Sequence, residues 1–341
     1  MREIRLFSLT KMMKIMILSY AAGLTEILSG KLKEFGLSAE RIDYNKPILT
    51  QITDADVLVN GLGKVNKPII DACPKLKLVH QAGTGVDNVD VAYCTLKSIY
   101  VANIPHINNV SVAEHTLFLM IYLAKNMKSA GEGIMKRRVF NVLGSELYGK
   151  KLTIIGLGAT GIEVAKRAKA FGMHITAVTK HPESKKGGKI DNNNNHNNNK
   201  WNYFINIIQG VEALSDSLID ADYISIHTPL TDETRGLIGA KEINLMKRSA
   251  FLINVARAQI VDREGLFTSL VNKKIAGAAF DVFWEEPADP NDKLLKLDNF
   301  VLTPHLAGWT FESADTTTRI IASNINRVLH GEKPTTLVNP N

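Results

Sequence analysis

The chain has 341 residues, of which 45% are hydrophobic and 22% charged, the balance of a globular protein large enough for two domains. Its net charge of +7 arises from 41 basic and 34 acidic residues, but no basic run interleaved with aromatic residues indicates nucleic-acid binding. Cys73 and Cys94 are interpreted as small buried side chains, and no apolar run is long enough to span a bilayer. We therefore expect no nucleic-acid partner, no membrane segment, no disulfide framework and no metal site.

The N-terminal segment is apolar but mildly basic. Lys11 and Lys14 interrupt any signal-peptide core, and no small-residue cleavage site follows them. A mitochondrial presequence is the alternative, with Glu3 counting slightly against it. We expect a cytoplasmic location and a first buried strand in KIMILSY.

Strand-like segments in the first third of the chain alternate with amphipathic stretches such as LTEILSGKLKEFG. This alternation predicts a parallel sheet with helices on both faces. A longer helix is predicted over residues 112–128, with Ser111 as its N-cap. The predicted strands are KIMILSY, ADVLVNG, LKLVHQAG and SIYVANIP.

A second strand–helix alternation begins near residue 150 and predicts a complete doubly wound unit. The tail from about residue 307 to 330 is again helical in pattern, and we expect it to pack on the N-terminal unit, which is short of a helix. The predicted domains are therefore 1–110 with 306–341, and 111–305 inserted between them. The six strands of the inserted unit are predicted in KLTIIGLG, HITAVT, ADYISIHTP, AFLINVA, IAGAAFDVF and FVLTPHL.

Residues 184–202, SKKGGKIDNNNNHNNNKWN, interrupt this pattern with an asparagine-rich tract of low complexity. Such a composition lacks the apolar side chains needed for a packed core. The tract follows the second strand of the inserted unit, where a surface loop can lengthen at little free-energy cost. We predict a disordered or loosely ordered loop.

The inserted unit carries a glycine-rich turn between its first strand and first helix. Gly156, Gly158 and Gly161 have the spacing GxGxxG. In this context the first glycine permits a tight turn, the second a close approach of a pyrophosphate, and the third close packing of helix and strand. The turn predicts a Rossmann dinucleotide-binding domain, the alternative being a glycine-rich turn without a ligand.

The end of the second strand lacks the carboxylate that usually binds the adenosine ribose of NAD. Thr179, Lys180 and His181 stand there instead. A lysine and a histidine can donate hydrogen bonds to the additional phosphate of NADP, which a carboxylate would repel. We therefore expect NAD(P)(H) with a preference for NADP(H); the alternative is an NAD enzyme in which these are ordinary loop residues.

Three reactive side chains follow three other predicted strands. Arg257, Glu286 and His305 would meet at the C-terminal edge of the sheet, where such folds bind ligands. An arginine can bind the carboxylate of a 2-oxo acid, and a histidine can donate a proton to its carbonyl oxygen. A carboxylate hydrogen-bonded to that histidine orients it and stabilises its protonated form. Together they predict reduction of a 2-oxo acid.

From about residue 55 to 310 the chain resembles the D-isomer-specific 2-hydroxyacid dehydrogenase family, in particular its glyoxylate/hydroxypyruvate reductase-like members. The resemblance implies that Arg257, Glu286 and His305 are the catalytic trio, with His305 as the general acid/base. It is carried, in chain order, by QAGTGVDNVD, VANIPHINNVSVAEHTLFLM, IIGLGATGIEVAKRAKAFGM, SIHTPLTDETRGLI, LINVARAQIVDREGL, DVFWEEP and LDNFVLTPHLAG.

The resemblance also implies an α/β fold of two doubly wound parallel-sheet domains, with a Rossmann domain inserted into a flavodoxin-like substrate domain. It implies a substrate site between the domains and a homodimer formed through the cofactor domain, with the helix from Val112 in the interface. The main-chain N–H groups of Gly83, Thr84 and Gly85 would bind the substrate carboxylate. The implied cofactor contacts are Gly156, Gly158, Ala159, Thr160, Gly161, Thr179, Lys180, His181, His227, Thr228, Pro229, Val255, Ala256, Asp281 at the nicotinamide carboxamide, and Gly308.

The chain departs from the family pattern at two positions. Ala258 follows the catalytic arginine where glycine is usual, and Asn60 stands where phosphoglycerate-type members carry an arginine. The second departure favours a small unphosphorylated acid such as glyoxylate, hydroxypyruvate or pyruvate. The alternatives are a dinucleotide-sensing, corepressor-like scaffold and a phosphoglycerate dehydrogenase. A formate dehydrogenase is disfavoured because such members carry glutamine where Glu286 stands.

Overall fold

A computed structural model describes residues 13–20, 22–186 and 203–340. The chain divides into two compact units, the first being Met1–Ile107 with Thr310–Asn341 and the second Asn108–Trp309. The sequence-based boundaries lay after residue 110 and before residue 306. Both units are built on parallel sheets, which confirms the predicted α/β fold class.

The first unit contains a five-stranded parallel sheet in the order β2-β1-β3-β4-β5. Four strands lie in the predicted segments, whereas the edge strand Ala39–Arg41 was not predicted because its three residues have no apolar run. The strands are β1 (Ile15–Leu18), β2 (Ala39–Arg41), β3 (Val57–Asn60), β4 (Leu78–Gln81) and β5 (Tyr100–Ala102). The helices before the second unit are α1 (Ala22–Lys33), α2 (Ile48–Gln51), α3 (Lys67–Asp71) and α4 (Val91–Leu96).

The second unit contains a seven-stranded parallel sheet in the order β12-β11-β10-β9-β6-β7-β8. It has one strand more than predicted, the short edge strand Ile207–Gln209. The strands are β6 (Lys151–Ile155), β7 (His174–Val178), β8 (Ile207–Gln209), β9 (Tyr223–Ile226), β10 (Phe251–Asn254), β11 (Gly277–Phe280) and β12 (Phe300–Leu302). The helices are α5 (Asn109–Ala124), α6 (Met127–Met135), α7 (Ala159–Ala170), α8 (Glu183–Lys186), α9 (Leu214–Ile219), α10 (Ala240–Leu245) and α11 (Arg263–Val271).

One local prediction was wrong, and another was wrong in its first three residues. The helix expected over 112–128 begins earlier, with Asn108 as N-cap, so Ser111 lies inside it and donates its hydroxyl to the Asn108 carbonyl at 3.0 Å. The helix also breaks at Asn126, whose φ of 49° is a left-handed conformation that asparagine tolerates better than most residues. In the asparagine-rich tract, residues 184–186 belong to helix α8 rather than to a loop, and residues 187–202 lie outside the described residues.

The C-terminal helix α12 (Phe311–Leu329) belongs to the core of the first unit. Its Ile321, Ile325 and Val328 are buried in one cluster with Leu28 and Leu32 of α1. This packing covers one face of the parallel sheet with a helix, as such sheets require.

A buried amide joins α12 to the sheet. Asn324 is fully buried, and its Nδ2 lies 3.0 Å from His80 Nε2 on β4. Its Oδ1 accepts hydrogen bonds from the main chain and hydroxyl of Thr335 at 2.8 and 2.9 Å. Burial lowers the pKa of His80 to about 4, so its imidazole is neutral near pH 7.

Replacing Asn324 by alanine should destabilise the first unit by about 2–3 kcal/mol, because several buried polar groups lose their partners. The opening free energy of the β4 and β5 amides in hydrogen exchange would measure this loss. Ser323→Ala, one position earlier on the same helix, is the matched control. Equal exchange in both variants would contradict a structural role for Asn324.

Candidate active site

The glycine-rich turn follows β6 and is shaped by its neighbour β9. Gly156 has φ +98°, and a Cβ there would lie 2.7 Å from the carbonyl of His227. A Cβ at Gly161 would lie 2.3 Å from the Gly156 carbonyl oxygen, where α7 packs on the strand. Neither position accepts a side chain without rearrangement.

Gly158, in contrast, faces open space. It is the N-cap of α7, and a Cβ built on it meets nothing within 4 Å. Ala159 and Thr160 form the first turn of that helix, with the Thr160 hydroxyl donated to Asn109 Oδ1 at 3.0 Å. Open space beside main-chain N–H groups at a helix N-terminus suits a pyrophosphate. The turn therefore fits a dinucleotide.

The segment after β7 makes one contact that the sequence did not predict. The Thr179 N–H donates to the Gln209 carbonyl at 3.0 Å and extends the strand pairing. Lys180 Nζ lies 2.6 Å from Glu233 Oε2, and both side chains are exposed. His181 is exposed and accepts the Ser184 hydroxyl at its carbonyl. The lysine thus has a carboxylate partner from a distant loop.

His227, Thr228 and Pro229 follow β9, directly beside the glycine turn. His227 Nε2 lies 2.7 Å from the Ser225 hydroxyl, and the buried Nδ1 has no hydrogen-bond partner within the described residues. Although part of the side chain remains exposed, burial of the imidazole lowers its pKa to about 3. The imidazole is therefore neutral near pH 7 and has an unpaired nitrogen next to the predicted dinucleotide site.

Two members of the predicted catalytic trio are in direct contact. Glu286 follows β11 and His305 follows β12, and these neighbouring parallel strands end at the same sheet edge. His305 Nδ1 lies 2.7 Å from Glu286 Oε2, while Glu286 Oε1 accepts the Phe283 N–H at 2.8 Å. Both side chains are mostly buried but still reach solvent.

The charge state of Glu286 follows from these neighbours. Burial alone would raise the pKa of its carboxyl. The hydrogen bond and charge of His305, the Phe283 N–H and the positive charge of Arg257 outweigh burial and lower the pKa below its ordinary value. Glu286 is therefore a carboxylate near pH 7.

Arg257 follows β10 and is held through its main chain. The buried Asn254 accepts the Ala256 N–H at 3.0 Å and donates to the Arg257 carbonyl at 2.8 Å. Arg257 Nη1 donates to the Ala256 carbonyl at 2.8 Å. Ala258, the departure from the family pattern, is buried and begins the short turn Ala258–Ile260.

Asp281 connects the ends of β11 and β12. It is 1% exposed, and its Oδ1 accepts the Thr303 hydroxyl at 2.5 Å and the Leu306 N–H at 3.0 Å. Its Oδ2 accepts the Ala307 N–H at 2.8 Å. These bonds fix the segment around His305, whose φ of 53° lies in the left-handed region. Asp281 therefore binds the histidine segment, and its implied contact with the nicotinamide carboxamide stays a prediction.

His115 of α5 completes this cluster and was not singled out from the sequence. Its Nε2 lies 2.9 Å from the Thr303 hydroxyl and 3.5 Å from Asp281 Oδ1. Burial lowers the pKa of His115, while the charge of Asp281 opposes that shift. His115 lies within the family-like segment VANIPHINNVSVAEHTLFLM, but no local pattern connects it to Asp281, because the two are far apart in the sequence and only helix packing brings them together.

The remaining predicted residues lie in both units. Gly83, Thr84 and Gly85 follow β4 in the first unit, where the Thr84 hydroxyl donates to the Ile104 carbonyl at 2.9 Å. Val255 and Ala256 follow β10 in the second unit. Gly308 packs against Asn108, and a Cβ there would lie 2.4 Å from its Nδ2.

Across residues 13–20, 22–186 and 203–340, no three His, Cys, Asp or Glu side chains are grouped closely enough to hold a metal ion. In the same ranges, none of the helices combines the length and the apolar character that crossing a membrane requires. Cys73 and Cys94 are buried free thiols, and burial raises their pKa to about 12 and 11.

Residues 117–307 match the family model of the D-isomer specific 2-hydroxyacid dehydrogenase NAD-binding domain. The chain is 39% identical over 297 residues to a D-3-phosphoglycerate dehydrogenase of Methanocaldococcus jannaschii, covering 86% of this chain and 53% of that protein. It is 34% identical over 303 residues to a glyoxylate reductase of Korarchaeum cryptofilum, covering 86% of both. The chain belongs to the D-isomer-specific 2-hydroxyacid dehydrogenase family.

This family membership was predicted from the sequence and is confirmed. The fold is similar to that of D-lactate dehydrogenase from Aquifex aeolicus, crystallised with NAD and lactic acid, at a TM-score of 0.80 and 26% identity over 96% of this chain and 100% of that one. The chain spans about half the length of the phosphoglycerate dehydrogenase from Methanocaldococcus jannaschii that it matches. The relatives are named as dehydrogenases or reductases, consistent with an NAD(P)-dependent oxidoreductase.

The contacts of Asp281 predict that its replacement destabilises the chain in the absence of ligands. Asp281→Asn should lower the free energy of unfolding of the second unit by about 2–4 kcal/mol, because an amide NH₂ would face buried N–H donors. Denaturation followed by tryptophan fluorescence would report it, since all three tryptophans lie between residues 108 and 309.

Asp298→Asn provides the control, since it removes the same charge from an exposed position of the same unit. If both variants unfold at the same denaturant concentration, the Asp281 carboxylate does not stabilise the histidine segment.

Proposed function

We propose that this chain is an NAD(P)(H)-dependent D-2-hydroxyacid dehydrogenase that reduces a small 2-oxo acid such as glyoxylate, hydroxypyruvate or a pyruvate-like acid. The observation that carries this proposal is the 2.7 Å contact between His305 and Glu286 near the charge of Arg257. The family membership and the glyoxylate reductases among the relatives support the same reaction.

Each side chain has a role that its surroundings support. The Glu286 carboxylate accepts a hydrogen bond from Nδ1 of a protonated His305, which leaves Nε2–H to donate a proton to the substrate carbonyl oxygen. Arg257 can bind the substrate carboxylate through its planar fork of donors. A bound nicotinamide cofactor supplies the hydride. General acid catalysis of this kind contributes about 10²–10⁴-fold to the rate.

The surroundings of Asn60 support an unphosphorylated substrate. Its Nδ2 donates to Gln81 Oε1 at 2.8 Å and to the Gly63 carbonyl at 2.9 Å, and the side chain is fully buried. No cation stands at this position, where phosphoglycerate-type members carry arginine. The 39% identity to a phosphoglycerate dehydrogenase nevertheless makes 3-phosphohydroxypyruvate the substrate to compare directly with hydroxypyruvate.

The proposed cofactor is NAD(P)(H) with a preference for NADP(H). The open space at Gly158 suits a pyrophosphate, and Thr179, Lys180 and His181 supply donors but no carboxylate after β7. The pair of Lys180 with Glu233 is exposed, and such pairs are worth about 0–1 kcal/mol. A phosphate carrying up to two negative charges can therefore compete for the lysine.

Exposed apolar side chains support a homodimer formed through the second unit. Phe140, Leu143 and Met135 are 102, 96 and 85% exposed, and Ile134, Val139 and Tyr148 are also largely exposed. A monomer rarely leaves so many neighbouring apolar side chains in water. A second copy of the chain would bury this segment, 134–148.

His305→Ala should lower kcat for hydroxypyruvate reduction by at least about 10²-fold, because the proton donor is lost. The dissociation constant of the reduced cofactor, measured by fluorescence titration, should change by less than about threefold, since the proton donor is not expected to supply cofactor affinity. His330→Ala removes an exposed histidine of the first unit and is the control.

Undiminished turnover in His305→Ala would contradict the acid/base role. Tight dinucleotide binding by the wild-type chain without turnover of any 2-oxo acid would instead support the sensing scaffold.

Phe140→Asp should convert the dimer to a monomer in sedimentation velocity, because it places a charge in the apolar interface. Phe311→Asp, at the start of α12, is the matched control, since Phe311 is 93% exposed but lies in the other unit. A monomeric wild-type chain, or equal sedimentation of both variants, would refute dimerisation through segment 134–148.

A further inference from the structure

The ion pair between Lys180 and Glu233 spans the end of β6. The sheet order places β6 between β7 and β9. Lys180 lies two residues after β7, and Glu233 lies in the loop after β9. Their contact at 2.6 Å therefore joins the two segments that flank the glycine turn.

The loop that carries Glu233 is held in an ordered turn. The Thr234 hydroxyl donates to the Pro229 carbonyl at 2.7 Å and accepts the Thr231 N–H at 2.8 Å. The Arg235 N–H donates to the Thr231 carbonyl at 2.9 Å, and the Gly236 N–H donates to Gln259. Glu233 thus projects from a fixed main chain towards Lys180.

This contact places an acidic group where the sequence after β7 has none. Thr179, Lys180 and His181 are adjacent in the chain, whereas Glu233 is 53 residues away from Lys180. A carboxylate at this position can accept hydrogen bonds from ribose hydroxyls and repels a phosphate. By pairing with Lys180 it also competes with any anion for the ammonium group.

We propose that Glu233 is a specificity-determining residue that limits the preference of the chain for 2′-phosphorylated dinucleotides. With NAD(H) the pair stays intact and the carboxylate can accept a ribose hydroxyl. With NADP(H) the 2′-phosphate pairs with Lys180 and leaves Glu233 unpaired beside it. Repulsion between this carboxylate and the phosphate weakens binding of NADP(H). The inference rests on the dinucleotide site of the proposed function.

The test measures dissociation constants by isothermal titration calorimetry, without substrate or turnover. NADPH is compared with NADH, and adenosine 2′,5′-bisphosphate with AMP, for the wild-type chain and Glu233→Gln. We expect Glu233→Gln to bind the two 2′-phosphorylated ligands about 3- to 10-fold more tightly, with the other two changed by less than about twofold.

Asp232→Asn is the matched control, because it removes the same charge from the neighbouring exposed residue of the loop and should change all four constants by less than about twofold. Lys180→Gln should weaken the 2′-phosphorylated ligands, and the gain from Glu233→Gln should shrink in that background because the competition for the ammonium group is gone.

An unchanged ratio of NADPH to NADH affinity in Glu233→Gln, or an equal change in Asp232→Asn, would overturn the role of Glu233 while leaving the dinucleotide site intact. Failure of the wild-type chain to bind either dinucleotide would instead overturn the proposed function and this inference together.

Discussion

The carboxylate of Asp281 is the interaction on which the reactive end of the second unit depends. Burying a charge is unfavourable unless hydrogen bonds replace water, and here a hydroxyl and two main-chain N–H groups do so. These donors all come from the segment that begins at Thr303 and contains His305. A left-handed residue at the end of a strand is thereby held in one conformation, with its imidazole against Glu286.

The parallel sheet explains why the candidate active-site residues lie at one of its edges. Successive strands β10, β11 and β12 end side by side, and the segments that follow them carry Arg257, Glu286 and His305. Further along the same edge, β6 and β9 carry the glycine turn and His227. The fold therefore brings the proposed dinucleotide surface and the proposed proton donor to the same edge of one sheet, where doubly wound folds generally bind ligands.

Much of this arrangement was predictable because it depends on local patterns. Buried parallel strands are short apolar runs, so ten of the twelve strands found in the described residues lie in segments that periodicity identified. The glycine spacing at residues 156–161 and the reactive residues after three strands are likewise local signals. The edge strands β2 and β8 were missed because three residues with one exposed side leave no periodic pattern.

What the sequence could not indicate depends on contacts between distant residues. The pair Lys180–Glu233 and the cluster of His115, Thr303 and Asp281 are joined only by strand order and helix packing. The helix breaks at Asn126, which adopts a left-handed backbone conformation that its residue type permits but does not require. Because the apolar pattern continues past Asn126, the sequence suggested one uninterrupted helix. The positions of the strand ends were thus easier to predict than the contacts between side chains from different strands and helices.

The proposed reaction is the reduction of 2-oxo acids to D-2-hydroxy acids. The most direct measurement is the configuration of the glycerate formed from hydroxypyruvate by the wild-type chain, with NADPH and NADH supplied in separate reactions. We expect D-glycerate with both cofactors and a higher rate with NADPH. L-glycerate, or no product with either cofactor, would contradict it.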